Sequence, residues 1–299
     1  MVNIWREGGQ SQWRVSRDSL VWGFATAPFA ALRIATLVVG IAAATFLNGL
    51  CEVALAQSDA SEAELAIKLQ NPVADLISVP IQNNWDFGIG STHVMSYTAN
   101  VQPVIPISLS DDLNLITRTI LPVTYAEPVV DGADSHAGLG DTVQSFFLSP
   151  KRRIGGWILG AGPVLLYPTA TDGNLGSGKW GAGPTAVVLQ QYSGWTYGLL
   201  ANQIWSFAGW GSERVSATFL QPFLSYTFTS HTTLALNTES TYDWQLTQWT
   251  VPINVMLAQL VKIGQQAMQF QVGGRYYAEQ PDGGPNWGLR FTVTFLFPK

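Results

Sequence analysis

Between Trp287 and Phe297 the chain alternates in a way that few folds can use. As a strand, this segment sends Trp287, Leu289, Phe291, Val293, Phe295 and Phe297 one way, and Gly288, Arg290, Thr292 and Thr294 the other. An apolar face opposite a polar one suits a strand with lipid on one side and a polar lumen on the other. A soluble sandwich also alternates, so the rest of the chain must decide. Only 12% of residues are charged, about half the ~25% of an ordinary soluble chain. So few charges cover a water-facing surface poorly. Aromatic residues make up 12%, with 12 tryptophans. Beyond the N-terminal region no apolar run reaches the roughly 20 residues that a spanning helix needs. A closed β-barrel is the other backbone arrangement that satisfies its hydrogen bonds in lipid. The expectation is therefore an all-β fold, a transmembrane antiparallel up-and-down barrel.

The pattern predicts about twelve strands from Leu76 onward, an even number as single-chain bacterial barrels have. The expected spans are 76–88, 94–108, 113–126, 139–149, 155–168, 179–192, 195–207, 214–227, 232–243, 247–261, 266–279 and 286–297. Connections such as Ser110-Asp111-Asp112, Ser193-Gly194 and Thr229-Ser230-His231 are tight. Those over 127–138, 169–178, 208–213 and 280–285 are longer and rich in Gly, Asp and Asn. Short periplasmic turns and longer outer loops have this asymmetry, and every tight connection is expected on the periplasmic side with both chain ends. Aromatic residues gather near strand ends, among them Trp85, Phe87, Trp157, Trp180, Trp195, Tyr242, Trp249 and Trp287. Rings with one wet edge favour the membrane interface. Strands 179–192 and 214–227 carry apolar residues on both faces, and Gln203 falls on the apolar face of 195–207. Bulges or a partly apolar lumen account for such strands.

The N-terminus reads as an export signal. Arg14, Arg17 and Arg33 precede an apolar stretch from Ile34 to Leu47, and Ala54-Leu55-Ala56 is a small-x-small cleavage site. Residues 1–56 are expected to be a signal peptide cleaved after Ala56, and the destination is the bacterial outer membrane. Leu50 before Cys51 argues against lipid attachment there. Cleavage removes Cys51, the sole cysteine. Residues 57–75 form a separate piece, with a helix expected from Ser61 to Gln70, capped by Ser61 and Glu64 and ended by Asn71-Pro72. This piece is either a periplasmic N-terminal segment or a small plug, and residues 76–299 are the barrel. The chain is net negative, which offers no basic surface for nucleic acid. Its expected partners are membrane lipid and lipopolysaccharide, periplasmic chaperones, the barrel-assembly machinery, and small hydrophobic or aromatic solutes.

Several stretches resemble a family of outer-membrane transporters named after the meta-pathway of phenol degradation. They include NPVADLISVPIQNNWDFGIG from Asn71, GAGPVLLYPTATDGNLGSGKWGAGP from Gly160, NQIWSFAG from Asn202, QPFLSYTF from Gln221 and VPINVMLAQLVKIG from Val251. The resemblance implies an outer-membrane barrel with a transport or channel role. It carries no catalytic residues.

Residue chemistry points the same way. The three histidines, His93, His136 and His231, fall in separate connections, so no metal site, cofactor or catalytic residue is expected. No His-x-Ser pair of the outer-membrane phospholipase kind occurs. The stretch from Asp172 to Lys179 lacks the spacing of a phosphate loop, and Trp180 stands where a hydroxyl belongs. If the apolar stripes face lipid, Arg118, Glu239, Arg275 and Arg290 point into the lumen, with Asn100, Gln102, Asn114, Asn237, Gln269, Gln271 and Tyr277. Arg275 and Arg290 lie on consecutive strands, and Glu239 is placed to pair with one of them. Such a set either filters solutes or fills and stiffens a barrel that twelve strands make narrow. The sequence thus favours passive passage of small hydrophobic or aromatic solutes. A plugged barrel without flux is the alternative, and a lipid-modifying enzyme trails.

Overall fold

The computed structural model describes residues 62–129 and 133–297. The signal-peptide reading of residues 1–56 and the capping role of Ser61 lie outside them. One helix comes first, α1 (Glu62–Leu69). The strands follow as β1 (Ile77–Ile89), β2 (Val94–Val101), β3 (Val104–Ser108), β4 (Leu113–Ala126), β5 (His136–Leu139), β6 (Thr142–Pro150), β7 (Ile158–Tyr167), β8 (Lys179–Tyr192), β9 (Trp195–Gly209), β10 (Ser216–Thr227), β11 (Thr232–Thr238), β12 (Ser240–Asp243), β13 (Gln248–Ile263), β14 (Gln266–Glu279) and β15 (Trp287–Phe297). Among the described residues no helix is long and apolar enough to cross a membrane.

Three pairs of these segments are single strands with a break. β2 and β3 part at Gln102-Pro103, β5 and β6 at Gly140-Asp141, and β11 and β12 at Glu239. The result is a sheet of 12 antiparallel strands. Pairing of β1 with β15, from Ile77↔Phe297 to Phe87↔Trp287, closes it into a barrel with no free edge. The expected spans match the observed strands to within three residues at either end. Two of the breaks have a chemical cause. Pro103 cannot donate to a ladder, and Glu239 faces Pro252, whose missing N–H interrupts the pairing between Thr238↔Ile253 and Thr241↔Thr250.

The hairpin at Ser193-Gly194 is as short as such a turn can be. Both residues have positive φ, 48° and 84°, which matches the twist of the flanking strands and favours glycine second. Loop lengths need one correction. The end that carries Ile77 and Phe297 does hold short turns at 109–112, 193–194, 228–231 and 264–265, but also the longer 151–157. The opposite end has long loops at 127–135, 168–178 and 280–286, together with four-residue turns at 90–93 and 244–247. Positive φ at Gly90, His93 and Thr247 lets those two turns close tightly.

The two faces of the wall separate as alternation demands. Leu199, Leu234, Leu257, Val272 and Leu289 are exposed outward, while Thr233, Asn254, Arg290 and Thr292 are buried inward. Outward rings gather in two zones. Phe87 stacks on Trp287 with centroids 4.5 Å apart, and Tyr242 packs on both Trp244 and Trp249 near the long-loop end. Trp195 with Tyr226, and Trp157 with Tyr197, mark the other end. Gln203 is on the outer face and lines no described cavity. It accepts a hydrogen bond from the Thr218 hydroxyl, which in turn accepts one from Trp244 Nε1 at 2.8 Å. Polar groups that satisfy one another can stay on an apolar face, so no bulge is needed at that residue.

Inside, half of the lumen is apolar. Ile116, Phe147, Val187, Leu189 and Leu200 pack together, and Val73 from the segment after α1 packs among them. This explains the two-sided apolar character of β8: its inward residues meet an apolar cluster rather than water.

Candidate functional site

The other half of the lumen is polar, and its centre is a charged belt. The belt is built by β14, β15, β1 and the β11–β12 break. Arg290 holds Glu239 with two hydrogen bonds, Nη1 to Oε1 at 2.9 Å and Nη2 to Oε2 at 2.7 Å. Arg275 Nη2 donates to the same Oε2 at 3.1 Å. Glu239 thus pairs with both arginines, not one. Arg275 Nη1 also meets Asp86 Oδ1 at 3.2 Å, and the Tyr277 hydroxyl donates to that oxygen at 2.9 Å. Asn84 Oδ1 accepts from Arg290 Nε at 2.8 Å and Arg275 Nη2 at 3.2 Å. Arg275 Nε donates to Asn254 Oδ1 at 2.8 Å, and Asn254 passes the chain on to Asn237 at 2.8 Å. The side chains of Arg275 and Arg290 are only 9% and 3% accessible. Such buried ions are tolerable because nearly every N–H has an acceptor.

Arg118 stands apart from this belt. Its Nη2 donates to Gln102 Oε1 at 2.9 Å, and no carboxylate among the described residues lies within ion-pair reach. Two cavities meet beside it, and Gln82, Gln102, Arg118, Gln221 and Glu239 border both. The inner chamber, of about 220 Å³, reaches toward α1 past Asn237, Gln269, Gln271 and Thr294. The outer chamber, of about 110 Å³, has apolar walls from Ile120, Val143, Leu166, Leu200, Ile204 and Phe219.

Each end of this space has its own cover. At the inner end α1 begins with Glu62 and Glu64 and ends on Lys68, charges that suit its dipole. Asn71 Oδ1 accepts from Val73 N at 3.0 Å where the helix stops. Leu65, Ala66 and Leu69 pack against Ala74, Leu76, Leu260, Ala267 and Leu296. Gln191 Nε2 donates to Ile67 O at 2.7 Å, and His231 Nδ1 lies 3.3 Å from Glu62. The helix is therefore fastened to the β13–β15 wall, to β8 and to the 228–231 turn after β10. At the outer end the 168–178 loop brings Leu175 and Ser177 to the chamber. Asp141 holds it by accepting from Ser177 N at 2.6 Å, Ser177 Oγ at 2.7 Å, Gly178 N at 3.1 Å and Ala170 N at 3.2 Å. Gly178, with φ of 63°, has Trp210 against it, and a Cβ there would lie 2.6 Å from the ring. In the same loop the Asn174 backbone N–H and then His136 hold the Asp172 carboxyl below the usual carboxylate range.

Of the eleven residues expected to point into the lumen, Gln102, Arg118, Asn237, Glu239, Gln269, Gln271 and Arg290 border a chamber. Asn100, Asn114 and Tyr277 are buried, and the Arg275 side chain is nearly so. Arg275, Arg290 and Glu239 come together, Tyr277 joins them through Asp86, and Asn237 through Asn254. Gln271 lines the inner chamber away from the belt, and Arg118 lies between the chambers. Sequence reasoning passed over Asp86, Asn84 and Asn254. A signal for the first two was present: Trp85 and Phe87 face out, so Asn84 and Asp86 must face in. Among the described residues no group of His, Cys, Asp or Glu is placed to hold a metal ion.

The closed sheet of 12 strands with a polar belt defines an outer-membrane β-barrel fold. The chain is similar to an outer-membrane channel from Pseudomonas putida F1, with a TM-score of 0.59 and 18% identity over 75% of this chain and 96% of that one. Weaker likenesses join it to outer-membrane phospholipase A from Escherichia coli (TM-score 0.40, 11% identity, covering 80% of this chain and 99% of that one) and to OmpT from Vibrio cholerae (TM-score 0.35, 9% identity, covering 74% and 98%). No protein-family model matches the chain, and no curated protein matches it by sequence. The fold expected from the sequence is thus the fold observed, while the meta-pathway family membership is not confirmed.

Proposed function

We propose that this chain is an outer-membrane channel that passes small hydrophobic or aromatic solutes by passive diffusion. The observation that carries the reading is the pair of chambers meeting at Gln82, Gln102, Arg118, Gln221 and Glu239, which leaves space along the barrel where a filler role would close it. The outer chamber's apolar walls suit a hydrophobic body, and the belt of Arg275, Arg290 and Glu239 acts as a fixed charged constriction beside the path. A fold shared with a channel protein supports the same reading. On it, residues 1–56 direct export and are removed after Ala56, chaperones and the assembly machinery deliver the chain, and lipid with lipopolysaccharide surrounds it. The barrel performs no catalysis.

A plugged barrel without flux is the second reading, and one observation favours it: α1 and Val73 occupy the inner part of the lumen. Single-channel recording of the purified barrel in planar bilayers separates the two. Discrete current steps, altered by phenol or toluene, are expected. A folded barrel that passes no current and takes up no hydrophobic solute into vesicles would establish the plugged reading instead.

A further inference from the structure

Resting on the reading of the lumen as a solute path, we propose that Arg118 is a recognition point for a small monocarboxylate with an apolar body about one aromatic ring in size. The carboxylate sits on the guanidinium, and the body lies in the outer chamber. The case begins with charge. Arg118, Arg275 and Arg290 bring positive charge to the lumen, and Asp86, Glu239 and Asp141 bring negative charge. Asp141 borders the outer chamber, and its oxygens accept from Ser177, Gly178 and Ala170 of the 168–178 loop. Both oxygens of Glu239 are already engaged by Arg275 and Arg290. Of these three arginines, Arg118 is thus the one with no carboxylate among the described residues in ion-pair contact, although Glu239 borders the same chambers. A guanidinium cannot shed its proton inside a protein and has five N–H donors in a planar fork. Among the described residues Gln102 Oε1 takes one of those donors, Nη2.

Position supplies the rest. Arg118 is enclosed by the barrel, yet its side chain keeps access to the lumen because it borders both chambers. The planar fork matches a carboxylate with two parallel hydrogen bonds. Next to it the outer chamber offers Ile120, Val143, Leu166, Leu200, Ile204 and Phe219. Its volume is about 110 Å³, of the same order as the ~150 Å³ apolar cavity that holds benzene. A cation with the same body would meet Arg118 with like charge. A neutral isostere would leave the fork unpaired, and a bare carboxylate would leave the apolar walls unused.

The test uses the purified, folded barrel and four probes: benzoate, benzyl alcohol, benzylammonium and acetate. Binding is measured by calorimetry in detergent, which needs no flux, and block of chloride current is measured in bilayers. Benzoate is expected to bind about tenfold or more tightly than each of the other three, a difference of ~1.4 kcal/mol. Arg118→Gln should erase that preference, and Arg118→Lys should keep part of it, since it retains charge but loses the fork. Equal binding of benzoate and benzyl alcohol by the unaltered protein would overturn the proposal, as would a benzoate preference that survives Arg118→Gln. If bilayers stay silent while calorimetry finds Arg118-dependent benzoate binding, the channel reading falls and the site stands. Discrete steps with no preference among the four probes do the reverse. Should Arg118→Gln fail to migrate as a folded barrel, the four-probe comparison and Arg118→Lys still decide.

Discussion

One carboxylate, Glu239, pairs with two arginines that are almost inaccessible to water, and while Arg275 also meets Asp86, Arg290 pairs with Glu239 alone among the described carboxylates. Removing one partner of a buried pair leaves a charge without compensation. Glu239→Gln is therefore expected to lower the barrel's unfolding free energy by about 3 kcal/mol or more. Urea unfolding in lipid vesicles, followed by tryptophan fluorescence, measures this. An unchanged midpoint would mean that the belt contributes little to folding. The same substitution removes one negative charge from beside three arginines, so the current should shift toward anions, read as a change in reversal potential across a salt gradient. The inward placement of Arg118, Glu239, Arg275 and Arg290 was legible because each falls on the face opposite its strand's apolar stripe. Their pairing was not. Residues 84–86, 239, 275 and 290 are distant in sequence, and only closure of the barrel through β1 and β15 makes them neighbours.

At the scale of elements, two short pieces control the ends of the lumen. Helix α1 holds its place through Leu65, Ala66 and Leu69 and through Gln191 and His231. Deleting residues 62–70 should enlarge the single-channel steps without unfolding the barrel, whose strands pair without it. Steps of unchanged size would show that the helix does not obstruct the path. At the opposite end, Asp141→Ala removes an acceptor for four donors of the 168–178 loop. Each donor left unpaired costs on the order of 1 kcal/mol or more, so the loop should loosen. Protease nicking within 168–178 on intact cells would report it, and equal nicking rates in the two proteins would refute the clamp. The helix itself was readable from its acidic start and the Asn71-Pro72 stop. Its docking was not, because the surface that receives it is assembled from β13, β14 and β15. The tight turns at 90–93 and 244–247 escaped for a local reason: positive φ at His93 and Thr247 is not announced by residue type.

For the whole molecule the solvent is lipid outside and water inside, and that predicts opposite tolerances on neighbouring strands. Leu257 of β13 is exposed on the outer face, and Gln271 of β14 borders the inner chamber. Leu257→Arg is expected to cost about 2–4 kcal/mol near the bilayer midplane, while Gln271→Arg should cost much less. Unfolding titrations of the two variants in the same vesicles test this, and equal losses would contradict the assigned faces. What the sequence determined by itself was local: a period of two, the scarcity of charge, the turn residues, and hence the strand count and which side chains face inward. A period-two pattern fixes the face of every residue because it depends only on the pleat of its own strand. The tertiary structure alone decided what lies across the lumen. It gave Glu239 two arginines, left Arg118 with no carboxylate of the described residues in ion-pair contact, seated α1 and Val73 inside the barrel and folded the 168–178 loop onto the outer chamber. Those relations depend on the curvature and closure of the sheet, which bring distant strands face to face, and no pattern within one strand records them.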